Sequence, residues 1–148
     1  MMRSDNFNLM YGYESKWIQE VTSLFNKTEM NRDNSVMVDR ATQNSQVLAS
    51  VWNGQNLLAI GRMLTDFQMY SNIFDVVVDP EFQKKGLGRR VMEALMAKAP
   101  ATCFYLTSTF GNEPFYLNLG YRYHKTAMAR YPEFFGKSSY LDWEREIE

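Results

Sequence analysis

The sequence predicts an α/β domain, one mixed β-sheet with helices on both faces. Two features predict it. The hydrophobic pattern changes period along the chain, from helical spacing to strand-like runs and back. In addition, the apolar run Asn72-Ile-Phe-Asp-Val-Val-Val78 leads through a glycine-containing turn into an amphipathic segment, giving strand, turn and helix in that order. No internal repeat, low-complexity tract or Pro/Gly-rich linker interrupts the chain, so a single domain is expected over residues 1–148.

In chain order, Trp17, Val21, Leu24 and Phe25 fall at helical spacing within Glu14 to Asn26 and make one apolar stripe. After a polar connection, Ser35 to Gln43 reads as a second helix capped by Asn34 or Ser35. Val47 to Trp52 and Asn56 to Leu64 read as two strands around Asn53-Gly54. That dipeptide suits a type I′ turn, which needs positive φ at both central residues. The β-branched run to Val78 predicts a strand covered on both faces, ended by Pro80, which has no amide for the ladder. Leu87, Val91, Ala94, Leu95 and the stem of Lys98 then line one side of a helix stopped by Pro100. Cys103 to Thr107 is expected as a strand with Cys103 buried. Pro114 to Leu119 is expected as a short helix ended by Gly120, and Tyr121 to Tyr131 as a last strand or strand pair. The predicted order is α-α-β-β-β-α-β-α-β.

Composition narrows the function classes. The chain of 148 residues has 16 basic and 17 acidic side chains, a net charge of −1, which argues against nucleic acid as a partner. No apolar stretch reaches the roughly 18 residues of a membrane span, and Met1 to Tyr13 lacks a secretory pattern. Cys103 is the single cysteine and His124 the single histidine. Together they make a zinc site improbable on chemical grounds, and a lone cysteine, which can form no internal disulfide, points to a reducing cytoplasm.

The chemistry is concentrated in Val76-Val-Val-Asp-Pro-Glu-Phe-Gln-Lys-Lys-Gly-Leu-Gly-Arg-Arg90. Its core, Gln83-x-x-Gly86-x-Gly88, joins a strand end to a helix start. Helix starts carry unpaired N–H groups and about half a positive charge, and therefore attract anions. Glycines remove the Cβ atoms that would hold an anion off the backbone, and Lys84, Lys85, Arg89 and Arg90 add charge at the same place. A pyrophosphate suits such a site. The short pattern arises by chance in roughly one chain in ten of this length, so its placement between strand and helix carries the weight. A phosphate-binding Walker loop and a dinucleotide fingerprint both fail to match.

This segment resembles the acetyl-CoA-binding motif of the GNAT superfamily of N-acetyltransferases, and the chain resembles its small single-domain bacterial members. A second match, Phe115-Tyr116-Leu-Asn-Leu-Gly120-Tyr121, resembles the family's tyrosine-bearing helix at the appropriate distance downstream. The resemblance implies a GNAT-like acyl-CoA N-acyltransferase fold and an enzyme that moves an acetyl group from acetyl-CoA to a primary amine of a small molecule or peptide by direct attack. It implies that the backbone of Val76, Val77 and Val78 pairs with the pantetheine arm. The amides from Gln83 through Lys84, Lys85, Gly86, Leu87 and Gly88 to Arg89 would hold the pyrophosphate. Tyr116 would lie by the cofactor sulfur and protonate the departing thiolate. A homodimer is also implied.

Two positions depart from the family pattern. Thr109 stands where an Asn or Asp is common seven residues before the tyrosine, and Asn72 and Phe74 stand where a carboxylate or His often serves as base. Asp75 is then the nearest candidate base, with water as the competing choice; its bland role is to tie down a neighbouring loop. A domain that binds acyl-CoA without turnover is the alternative function.

Overall fold

In the computed structural model, which describes residues 6–30 and 32–145, the chain divides into two compact units, Met1–Thr109 and Phe110–Glu148. The first unit contains the sheet. Its order is β1 (Asn8–Tyr11), β2 (Val47–Asn53), β3 (Asn56–Thr65), β4 (Tyr70–Val78) and β5 (Cys103–Tyr105). The pairs from β1 to β4 are antiparallel, and β4 with β5 is parallel, so the sheet is mixed as expected.

Helices α1 (Ile18–Asn26) and α3 (Leu87–Ala97) cover opposite faces of it. Val21, Leu24 and Phe25 of α1 are buried with Trp52, Leu57, Ile60 and Val77. On the other face Val91 and Leu95 of α3 close over Gly61 and Val76. Neighbouring residues of a strand point to opposite faces, so Ile60 and Gly61 serve the two layers in turn. Each fully buried aliphatic side chain contributes roughly 1.5–3 kcal/mol relative to exposure. Helix α2 (Ser35–Gln43) begins where the sequence indicates: Asn34 is its cap and accepts the Met37 amide at 3.0 Å.

Buried polar groups are matched. The Ser71 and Thr102 hydroxyls lie 2.7 Å apart, Thr102 also donates to the Ala99 carbonyl, and the Trp52 indole donates to Ser50. The two Thr102 bonds tie β4 to the segment between α3 and β5. Among the described residues no helix is long and apolar enough to cross a membrane.

The second unit holds α4 (Glu113–Asn118), with Gly120 at φ +95° just past its end. No side chain of this unit reaches full burial among the described residues.

Several expectations are corrected. Strand β1 was not foreseen, because four residues with one half-buried side chain carry no alternation to read. The hairpin turn is Gly54-Gln55, with Asn53 paired to Asn56. Only Gly54 takes positive φ, +62°, which is the type II′ pattern rather than I′. Strand β4 is not covered on both faces: from Tyr70 to Phe74 exposed residues alternate with buried ones. Strand β5 stops at Tyr105 and its Cys103 is exposed, not buried. Residues 121–131 form no strand; alternation becomes a strand only where a second strand pairs with it. The order of strands and α-helices is therefore β-α-α-β-β-β-α-β-α.

Gly61 is the tightest point of the sheet. A Cβ there would stand 2.7 Å from Cγ1 of Val91, a fully buried β-branched side chain with one favoured rotamer on its helix. Gly61→Ala should destabilise the protein by about 1–3 kcal/mol, read as a lowered Tm in thermal unfolding. An unchanged Tm would show that α3 yields at no cost.

Candidate active site

The site begins with a fault in the sheet. Ile60 pairs with Val77 and Arg62 with Phe74, so Gly61 alone faces both Asp75 and Val76. This is a β-bulge, and Asp75 takes the left-handed backbone, φ +55°, to make it. Three residues before the bulge β4 loses its other neighbour: the pairing with β5 runs only from Tyr70–Cys103 to Asn72–Tyr105. From Ile73 to Val78 that edge has no strand partner among the described residues. A row of backbone donors and acceptors is thus presented to any extended ligand, in the manner of β-strand addition. Val76, Val77 and Val78 all stand on this edge.

Beyond the strand, Asp79 fixes the turn. It is buried, its amide donates to the Leu58 carbonyl at 2.7 Å, and its carboxylate accepts the Glu81 amide and pairs with Lys27 at 3.1 Å. A short 3-10 helix, Pro80–Phe82, leads to extended, exposed Gln83. Lys84 (φ +64°) and Gly86 (φ +78°) then turn the chain into α3. Leu87 is buried and pins the first turn to the core.

Gly86 is the N-terminal cap of α3, no side chain caps that end, and the first helical bond is Arg90 to Gly86. The amides of Leu87, Gly88 and Arg89 come before that bond, so they precede the helix ladder and are available to an anion. A Cβ on Gly86 would meet nothing within 4 Å, leaving open space beside these amides. The cations divide. Arg89 pairs with Glu93 at 2.6 Å and Arg90 donates to the Phe7 carbonyl at 2.9 Å. Lys84 and Lys85 are exposed and enter none of the ion pairs among the described residues. The open edge and the uncapped helix start together fit a ligand with an amide-bearing arm and a pyrophosphate, which is the make-up of acetyl-CoA.

Asp75 carries more structure than its sequence position suggests. Its carboxylate accepts from Arg32 at 2.7 Å and from Arg62 at 2.9 Å. Burial pushes its pKa up, but the hydrogen bonds and charges of the two guanidiniums outweigh that and hold it below the usual carboxylate range. Arg62 also donates to Ser45 at 3.3 Å and lies 5.2 Å over the Phe74 ring. Arg32 belongs to the connection between α1 and α2, so this cluster ties that connection to the bulge. Arg32, Arg62 and Gly61 were not singled out from sequence; their roles depend on partners far along the chain.

Tyr116 belongs to the second unit, on α4. Its ring meets Phe115 and Tyr121 edge-on, and its carbonyl accepts the Tyr121 amide at 3.1 Å. Burial raises the Tyr116 phenol pKa, and burial with the Tyr116 charge pushes Tyr121 up to about 12. His124 is exposed on irregular chain. No cluster of His, Cys, Asp and Glu suited to a metal occurs among the described residues. A separate cleft of about 330 Å³, lined by Tyr11, Gln43, Gln46, Phe67 and Lys98 among others, contains none of the residues singled out above as candidate site residues.

Comparison with known proteins shows the family and the fold. The model of the acetyltransferase (GNAT) domain family matches residues 43–123, more than half of the chain. No curated protein matches by sequence. Solved structures share the fold at low identity. A GNAT-family acetyltransferase from Streptococcus pneumoniae is 20% identical, with 85% of this chain and 98% of that one covered and a TM-score of 0.73. Glucosamine-6-phosphate N-acetyltransferase from Arabidopsis thaliana is 20% identical over 86% and 100%, with a TM-score of 0.66. A predicted acetyltransferase from Clostridium acetobutylicum, solved with acetyl-CoA, is 14% identical over 89% and 99%, with a TM-score of 0.69. With its family model matched over more than half of its length, the chain belongs to the GNAT family of acetyltransferases, which use acetyl-CoA as the acetyl donor.

Proposed function

We propose that the chain, acting as one catalytic domain over residues 1–148, acetylates a primary amine of a small molecule or peptide by direct attack on acetyl-CoA. The observation that carries this is the unpaired β4 edge running into an uncapped helix start. The bound thioester supplies an activated acetyl carbon: the amine nitrogen bonds to it, the C–S bond breaks, and the thiolate leaves.

In this reading Val76, Val77 and Val78 hold the pantetheine amides through their backbone. The amides from Gln83 to Arg89 hold the pyrophosphate, with Lys84 and Lys85 adding charge at the rim. Tyr116 gives its phenol proton to the departing sulfur. Its raised pKa keeps that proton in place through the neutral and mildly alkaline range. Asp75 serves as a positioning residue: with both oxygens engaged by arginines and its pKa lowered, it binds a proton poorly. The ammonium proton passes to water instead. An acyl-CoA-binding domain without turnover is the second reading, favoured by Asn72 and Phe74 at the family's base positions.

Three outcomes are expected. In calorimetry the wild type should bind acetyl-CoA near micromolar strength and Gly86→Glu should abolish it, since a bulky anion would sit beside the amides at φ +78°. A folded wild type that does not bind would overturn the assignment of the site. Tyr116→Phe should lower kcat by about 10²-fold with acetyl-CoA affinity kept, and wild-type kcat should not fall between about pH 7 and 9.5, below the ordinary phenol pKa near 10. An alkaline fall below pH 9 that the variant removes would contradict the raised phenol pKa. No turnover of any amine would favour the binding-domain reading. For Asp75→Asn the acid limb of the pH–rate profile should stay in place, because that carboxyl is already ionised well below neutrality. Loss of the limb together with a 10²-fold or larger fall in kcat would make Asp75 the base.

A further inference from the structure

We propose that the acceptor is a monoamine carried on an aromatic or other apolar body, seated on the α1-side face of β3, β4 and β5 beside the open edge. This rests on the acetyl-transfer reading above and deepens it.

Paired residues of adjacent strands share a face. Arg62 pairs with Phe74, Leu64 with Asn72, and Asn72 with Tyr105, so these side chains form successive ranks of one surface, with Tyr70 in the next. Ile60, two residues before Arg62, lies in the α1 core, which puts the surface on the α1 side. The core does not extend over it. Leu64 is 37% exposed, Phe74 40% and Tyr70 47%, and the Tyr70 and Tyr105 rings stand 6.1 Å apart.

Its position suits the chemistry. Phe74 precedes Val76 by two residues, across the bulge, so a molecule resting on Phe74 has its amine within reach of an acyl group laid beside Val76 to Val78. The α1–α2 connection, held by Arg32 to Asp75, bounds this end of the surface.

Charge selects the class. Asp66 and Asp75 are the only carboxylates in β3, β4 and their connection. Asp66 accepts the amides of Gln68, Met69 and Tyr70, and these backbone bonds pull its carboxyl below the usual range. Asp75 is taken by Arg32 and Arg62. A polyamine or amino sugar, which needs free carboxylates or many hydrogen-bond partners, finds on the sheet face an arginine over a phenyl ring, Asn72 and two tyrosine hydroxyls, with further carboxylates, Glu29 and Asp33, only on the connection at its border. An apolar body finds ring faces and a leucine. The surface also eases deprotonation: an ammonium moved from water onto apolar groups loses hydration, which lowers its pKa. That assistance is of value where no carboxylate or histidine occupies positions 72 and 74.

The test measures acetylated product by mass spectrometry for 2-phenylethylamine, spermidine and glucosamine, alongside acetyl-CoA affinity by calorimetry. Phenylethylamine should exceed the other two at least about tenfold in kcat/KM, and Phe74→Ala should lower its value about tenfold with acetyl-CoA affinity unchanged. Tyr70→Ala, at a second exposed position, should lower it in the same direction. Preference for spermidine or glucosamine, or no effect of either variant, overturns the proposal. If no amine is acetylated, phenylethylamine titrated into the coenzyme A-loaded protein should still shift the amide resonances of Asn72 and Phe74, and absence of those shifts overturns it. Failure of the wild type to bind acetyl-CoA would instead sink the acetyl-transfer reading itself.

Discussion

The site follows from one interruption of the β-ladder. With Gly61 opposite two residues instead of one, β4 is bulged at Asp75, within the stretch from Ile73 to Val78 that is unpaired with β5. A regular sheet would satisfy the backbone of Ile73 to Val78 internally and leave nothing to offer a ligand. The bulge persists because its surroundings over-determine it. Val91 and Leu95 close on Gly61 and Val76 from one side, while Arg32 and Arg62 hold Asp75 in its left-handed conformation from the other. Packing and ion pairing thus hold a strained residue where the edge opens.

The electrostatics follow the same plan. A chain of net charge −1 cannot attract a polyanion by overall field, so recognition must be local. The helix start at Gly86 supplies fixed amide dipoles, and the local cations are partly committed to structure: Arg89 to Glu93, Arg90 to the Phe7 carbonyl, and Lys27 to buried Asp79. Asp79 links the layers, since it joins the end of α1, the start of β3 and the turn that leads to the glycines.

Features that depend on neighbours in sequence were legible before the fold was known. The Asn34 cap, the glycine turn before α3 and the tyrosine helix ended by Gly120 each rest on a few adjacent residues, and each stands where the pattern put it. Features that depend on distant partners were not. The bulge is set by the packing of α3 on β3, and the Arg32–Asp75 pair joins residues 43 apart. The run from Tyr121 to Tyr131 marks the same limit from the other side. Its alternation describes a strand's faces, but strand pairing is decided elsewhere in the chain, and no strand forms over these residues. For the candidate site, the cofactor-facing segment was readable, whereas the engagement of Asp75 by two arginines became visible only in three dimensions.

The central claim, that acetyl-CoA completes the open edge of β4 and the first turn of α3, is tested most directly by amide hydrogen exchange with and without the ligand. The account predicts that acetyl-CoA slows exchange at Val76 to Val78 and at Lys84 to Arg89, and changes β2 little. Tight binding with those amides unprotected would contradict it and place the ligand elsewhere on the molecule.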